Sequence, residues 1–240
     1  MAEVEVVDHG RWAEVILNRP ARRNAINGPL GEGLASAIRR ADADDGVQAI
    51  LLRGADGAFC SGLDLKAFNA EPPPDWMPRF PAIWRRAHKA IFECRKPIVA
   101  ALERFAINGG AALALAADLL VAGEGAFLQV GEVRQGMAAP YNLAWLRFRH
   151  SENVAAQLTL TGRRFTGSEL VAMGVAYAVA PDDIVLPTAM RLVEEVAAYP
   201  DGGLARIKTL LRAYNDASAD DWFDRATRHA GPRVKPRAVG

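Results

Sequence analysis

Cysteine is scarce. Cys60 and Cys94 are the only two in 240 residues, too few for a disulfide framework or a zinc site, and no C-x-x-C occurs. This fits a reducing compartment. A charge excess of one sign is also missing. Lys+Arg 29 against Asp+Glu 28 leaves a formal net charge of +1. That excludes the strongly basic balance of a general nucleic-acid binder, and it does not suit a disordered acidic or basic chain. Long apolar runs are absent too. Phe105 to Ala117 is closed by Asp118 and is too short for a bilayer, which needs about 20 residues. The first ten residues carry Glu3, Glu5 and Asp8 among valines, with neither the basic flank nor the apolar stretch of a signal peptide. These absences predict a soluble cytoplasmic protein with no membrane span, no nucleic-acid partner and no metal.

What remains is ordinary globular composition, 50% apolar and 24% charged. The length suits one large domain, or one domain with a small appendage. Val4, Val6 and Ala13–Leu17 read as two strands around the turn His9-Gly10. Leu30, Leu34, Ile38 and Ala41 recur at helical spacing behind Pro29, which suits a first-turn position. Ala49–Leu52 is a continuous apolar run, the pattern of a buried strand. Asn69 to Pro81, with its prolines, reads as a loop, and a helix follows from Ile83 to about Cys94. Pro97–Leu102 is a strand and Ala111–Ala117 an Ala/Leu helix. Leu119–Ala122 is another strand. Beyond Leu143 the pattern is mostly helical, with one strand at Ala176–Ala180. The basic stretch Gly231–Gly240 is expected to be poorly ordered. The order of elements predicts an α/β protein.

Three loops stand out: Gly57 to Leu65, Asn108-Gly109-Gly110, and Gln129-Val130-Gly131-Glu132. A glycine loop opening a helix exposes main-chain N–H groups at the positive end of the helix dipole. Two such groups converging on one oxygen would form an oxyanion hole, each donor contributing about 3–4 kcal/mol to a transition state. Spacing alone favours the plainer reading, in which Gly62, Gly109 and Gly110 serve only turns and close packing. Ser61 fails as a nucleophile elbow, because Phe59 and Leu63 stand where glycines are required. Cys60 has no evident base. His9, His88, His150 and His229 are scattered, and no pair has metal-ligand spacing. No P-loop or Rossmann fingerprint is present.

Taken together, in this order and spacing, the motifs resemble those of the crotonase superfamily, the enoyl-CoA hydratase/isomerase family, from about Val4 to Asn215. Phe59 to Leu65 is similar to its first oxyanion loop, and Pro97–Leu102 through Asn108-Gly109-Gly110 and Ala117-Asp118 to its second. Arg19-Pro20 with Asn24-Ala25 resembles an early CoA-loop signature. Thr161 to Phe165, Ala172 to Val175 and Ile207-Lys208 match later landmarks. The resemblance implies a crotonase-like spiral of β-β-α turns over residues 1–195. Residues 196–240 would form a C-terminal helical trimerisation region giving a homotrimer or homohexamer. It implies an acyl-CoA thioester substrate, with coenzyme A entering as part of the substrate and no separate cofactor. The thioester oxygen would sit between the N–H groups of Ser61 and Gly109. CoA would contact Arg22, Arg23, Ala25, Ser61, Gly62, Leu63, Asp64, Leu65 and Gly109.

Family hydratases typically use two glutamates. Here the first position is Ala112 and the second is Glu132, while a further position that is acidic in some relatives falls on Pro140. A lone carboxylate suits double-bond isomerisation, which needs one proton carrier, better than hydration. Hydratase (lyase) activity and a non-catalytic acyl-CoA-binding role are the alternatives. Glu103-Arg104 replaces a usual Asn-Gly, and Asn108 replaces a glycine. Glu103 is expected to pair with Arg104 or meet solvent. Trp76, Phe80 and Trp84 fall where the family lines its acyl pocket, and Tyr141 and Asn142 are further polar candidates. Arg147 and Arg149 are expected on solvated faces.

Overall fold

The structure, a computed structural model, describes residues 2–214 and 217–231. Most of the basic terminal stretch therefore lies outside the described residues. The chain opens with β1 (Val4–Asp8) and β2 (Trp12–Leu17), an antiparallel pair turning at Gly10, whose φ is +77°. Next come α1 (Gly28–Ala43), β3 (Ala49–Gly54), the short α2 (Leu65–Phe68), α3 (Phe80–Glu93) and β4 (Ile98–Leu102). They are followed by β5 (Phe105–Ile107), α4 (Gly109–Ala116), β6 (Leu119–Gly123) and β7 (Phe127–Gln129). The last third holds α5 (Pro140–Arg149), α6 (Glu152–Leu160), β8 (Arg164–Thr166), α7 (Gly167–Ala172) and β9 (Ala178–Ala180), then α8 (Val185–Ala197), α9 (Gly203–Ala213) and α10 (Ala219–Arg228).

Six strands form one sheet in the order β1-β2-β3-β4-β6-β9, parallel from β2 onward. Strand residues alternate between its two faces. Ile50, Leu52, Ile98, Ala100 and Leu120 enter a large core with α1, α3, α4 and α5, whereas Ala49, Leu51, Val99, Ala101 and Val121 pack against α8. Both faces are covered, which is why Ala49–Leu52 of β3 and all of β4 read as uninterrupted apolar runs. A smaller sheet, β5-β7-β8, pairs β5 with β7 in parallel and β7 with β8 antiparallel.

The helices start where local chemistry allows. Asn27 caps α1 by accepting from Leu30 N–H, and Pro29 sits in its first turn. α3 begins inside the proline-rich segment, at Phe80, because Pro81 fits the first turn of a helix as well as it fits a loop. The expected division between residues 195 and 196 falls within α8. The C-terminal helices pack onto the rest of the chain: Phe223 of α10 is buried among Phe92, Tyr141 and Trp145, and Lys208 of α9 is buried beside Asp118.

Candidate active site

The first glycine loop is stitched to its neighbours by main-chain bonds. Cys60 N–H donates to Phe105 O (3.1 Å) and Ile107 N–H to Cys60 O (3.0 Å), so the loop runs beside β5 and the approach to Asn108. Gly110 packs so tightly on it that a Cβ would lie 2.4 Å from the Cys60 carbonyl oxygen. Gly62 adopts φ +89° with the Ile107 carbonyl against it, 2.9 Å from where a Cβ would be, and only glycine fits both conditions. On the other side Ile26 N–H donates to Gly62 O (2.7 Å) and Asp64 N–H to Ile26 O (2.9 Å). In such a parallel bridge the intervening residue, Leu63, turns its own N–H away from Ile26.

This arrangement corrects the expectation for Ser61. Its N–H donates to Arg23 O (3.1 Å) and its hydroxyl reaches Arg22 O (3.4 Å), so the Ser61 amide is already engaged. Leu63 is the member of this loop that lines the cavity with its N–H directed away from Ile26. The Asp64 carboxylate serves the loop itself. It is buried, receives Arg19 Nη2 (2.9 Å) and caps α2 through Ala67 N–H (3.2 Å). Burial alone would raise its carboxyl, but these bonds hold it below the ordinary range. The Ala25 carbonyl accepts from Arg19 Nη1. Arg22 and Arg23 are exposed.

The second loop enters α4 through Asn108 at φ 52°, ψ −113°, a strained conformation for a residue with a side chain. Three contacts hold it there. Asn108 N–H donates to Gln129 O (2.8 Å), Asn108 Oδ1 accepts from Gly131 N–H (2.8 Å), and Asn108 O accepts from Ala112 N–H (3.0 Å). The loop thus remains intact without the expected glycine and is pinned to the residue just before Glu132. Gly109 opens α4, where a helix leaves its first N–H groups without internal partners, and no side chain caps this end.

Leu63, Gly109 and Glu132 line one cavity of about 190 Å³, together with Ser61, Leu65, Phe80, Trp84, Ala112, Tyr141 and Asn142. Glu132 is the one carboxylate among these described residues. Its Oε1 accepts from Asn142 Nδ2 (3.0 Å), while Oε2 is buried without a hydrogen bond. Burial pushes its carboxyl up to about 7, against smaller opposing effects of its own N–H and the Asn142 amide. Ala112, the position where the resemblance implied a first glutamate, is fully buried and adds no carboxylate to the cavity lining.

Of the aromatic residues expected at the acyl pocket, Phe80 and Trp84 line the cavity. Trp76 instead packs on Gly28, where a Cβ would meet its ring at 2.5 Å, and against Phe68 and Phe80. Behind the wall, His88 accepts a bond from Trp145 Nε1 (2.8 Å) and stacks on Tyr141; burial lowers it to about 3, so it is neutral. Cys60 is buried beneath the loop, and desolvation pushes its thiol up to about 12, which keeps it protonated. Glu103 lies elsewhere, near Arg104, Asp182 and Asp183; burial raises its carboxyl and the Arg53 charge partly offsets this. Arg149 is mostly buried and binds Ala116 O (2.7 Å) and Asp118 (3.0 Å), contrary to the solvated face expected for it. No group of three or more His, Cys, Asp or Glu among the described residues is placed to hold a metal ion, and no helix there is long and apolar enough to cross a membrane.

Residues 10–225 match the family model for enoyl-CoA hydratase/isomerase. A Thermus thermophilus relative with a provisional enoyl-CoA hydratase name is 35% identical over 219 residues, 90% of this chain and 87% of its own. The 1,2-epoxyphenylacetyl-CoA isomerase of Escherichia coli is 27% identical, over 87% of this chain and 81% of its own. A solved carnitinyl-CoA dehydratase from Mycobacterium avium superposes with a TM-score of 0.84 at 29% identity, covering 96% of this chain and 91% of the other. The chain is therefore an enzyme of the enoyl-CoA hydratase/isomerase family, with the crotonase fold.

Proposed function

We propose that the enzyme binds an acyl-CoA thioester with its carbonyl oxygen between the main-chain N–H groups of Leu63 and Gly109, and that Glu132 alone moves the proton. As the α proton leaves, charge develops on the thioester oxygen, and two fixed amides meet it without reorganisation. A carboxyl held near 7 is divided between its two forms at neutral pH, so it can both accept and return a proton. Removal at the α carbon and return at the γ carbon shifts a double bond, and one carrier suffices. The observation that carries this reading is the single carboxylate in a cavity lining that also includes Ala112.

Hydration is the second reading. It is favoured by Asn142 Oδ1, a buried acceptor on the cavity wall without a protein partner, which could orient a water beside Glu132. The acyl group would lie against Phe80, Trp84 and Tyr141, and CoA along the loops of Arg22–Ala25 and Ser61–Leu65. Assembly into a homotrimer or homohexamer belongs to the same proposal; α9 leaves Ile207, Leu210 and Leu211 exposed for it.

Glu132→Gln is expected to reduce turnover of enoyl-CoA esters by about 10²–10⁴-fold with CoA-ester binding near normal. Full activity in that variant rules out the assignment. Product mass separates the two reactions, because isomerisation conserves mass and hydration adds one water.

A further inference from the structure

We infer that Asn142 is a positioning residue that holds the acid/base carboxyl and the oxyanion peptide in one fixed arrangement. The inference rests on the reading of Glu132 and Gly109 given above. Asn142 stands in the first turn of α5 and is buried. Its Nδ2 donates to Glu132 Oε1 (3.0 Å) and to Asn108 O (3.1 Å). A side-chain amide carries two N–H donors, and these two acceptors use both. Since carboxylate and carbonyl oxygens both accept, the amide has one orientation, with nitrogen toward Glu132 and Oδ1 left without a protein partner.

The Asn108 carbonyl is covalently part of the unit that ends in Gly109 N–H. A trans peptide is planar, so fixing its carbonyl fixes the direction of its N–H. Hydrogen bonds also polarise along a chain, and a donor on the carbonyl makes the N–H opposite it a stronger donor. The same side chain sets where the Glu132 carboxyl lies. Asn142 therefore sets the distance between the proton carrier and the polarised oxygen, touching neither the α proton nor the thioester.

Few other charged groups act on Glu132. α4 carries none, and His88 of α3 lies neutral behind Tyr141. Arg134, on the same turn as Glu132, packs on Gly162. Tyr141 is the one other titratable side chain lining the cavity. Losing the Asn142 donor removes a bond that favours the ionised carboxylate, so ionisation of Glu132 moves to higher pH.

The test compares Asn142→Asp, which keeps the shape but cannot donate once ionised, with Asn142→Ala. One readout is the pH dependence of kcat with an enoyl-CoA ester. The other is the carbonyl stretch of a bound, unreactive CoA thioester, which reports polarisation by the oxyanion amides. Both variants should move the limb assigned to Glu132 to higher pH, by about one unit for Ala and further for Asp, where a second carboxylate adds repulsion. Both should return the stretch toward its value in free solution. Either readout staying at its wild-type value in both variants overturns the inference, even where kcat falls. Glu132→Gln, run in parallel, separates the two levels. If it retains turnover, the underlying reading fails; if it is inactive while the limb or the stretch is unmoved in both Asn142 variants, only the role of Asn142 fails.

Discussion

Asp118 follows the last turn of α4, and Glu132 shares a cavity with the first. Both carboxylates are largely buried, yet their surroundings differ. Asp118 takes Lys208 Nζ (2.7 Å), Arg149 Nη2 (3.0 Å) and Ile98 N–H (2.8 Å), with Arg212 nearby. Desolvation would raise it, but this cationic surround holds it at about 2. Among the described residues no cation pairs with Glu132, and desolvation leaves it at about 7. The difference extends to the helix itself. Arg149 satisfies the Ala116 carbonyl near the C-terminal end of α4, while the N-terminal end has no side-chain cap. One end is tied into an ion-pair cluster and the other leaves its N–H donors without a side-chain partner, as the proposed thioester site requires.

Asp118→Ala tests the stable end and should have the largest effect. It strands three cations around one removed partner, at a cost of about 3–5 kcal/mol, read by denaturant unfolding. A loss below 1 kcal/mol would mean that the cluster contributes little. Gly110→Ala probes the other end. Its methyl would meet the Cys60 carbonyl oxygen at 2.4 Å, so the two loops must part. This should cost up to about 3 kcal/mol and lower turnover, because Leu63 and Gly109 ride on those loops.

The pH dependence of stability sharpens the contrast further. Glu132 is raised in the folded state, so between its ordinary value of 4.5 and about 7 the native form holds the extra proton, and stability falls as pH climbs through that window. Asp118 is depressed, so its contribution is present above 3.8 and is lost as pH falls toward 2. Wild type should lose on the order of 2 kcal/mol more than Glu132→Gln between pH 5 and pH 8. Parallel curves for the two proteins would show that Glu132 is not desolvated.

Much of this was legible in the sequence because the landmark residues are the stitches of the site. Asn24 is buried and donates to Ala55 O and Ala58 O, Arg19 reaches Asp64, and Lys208 meets Asp118 across 90 positions of chain. The main sheet was legible as well, since Ala49–Leu52 of β3, all of β4 and Leu120–Ala122 of β6 are apolar runs buried on both faces. Strands β5, β7 and β8 were not. Each has three residues, too few to show a period of two, and they exist because tertiary contacts align them. The glycine loop is marked by composition, but only tertiary hydrogen bonds show that Ser61 N–H is taken by Arg23 O and that Leu63 N–H is turned away from Ile26. Arg149 looked like a surface cation for a similar reason, since its acceptor lies on another helix.

Arg149→Met makes the smallest of these perturbations and isolates the comparison between the two ends of α4. Methionine keeps part of the apolar stem beside Trp145 and Phe148, whose rings lie 5.5 and 6.0 Å from the guanidinium. It removes the donor to Ala116 O and one of the cations on Asp118, which Lys208 still holds. The stability loss should be about 1 kcal/mol, in the range of a cation at a helix C-terminus. Gly109 begins the same helix, about 10 Å away at 1.5 Å per residue. If the two ends are independent, turnover of an enoyl-CoA ester should stay within a few-fold of wild type and the limb of the pH profile assigned to Glu132 should not move. A large fall in kcat with only a small change in stability would mean that α4 transmits the cap along its length, and that the stable end also sets the chemistry.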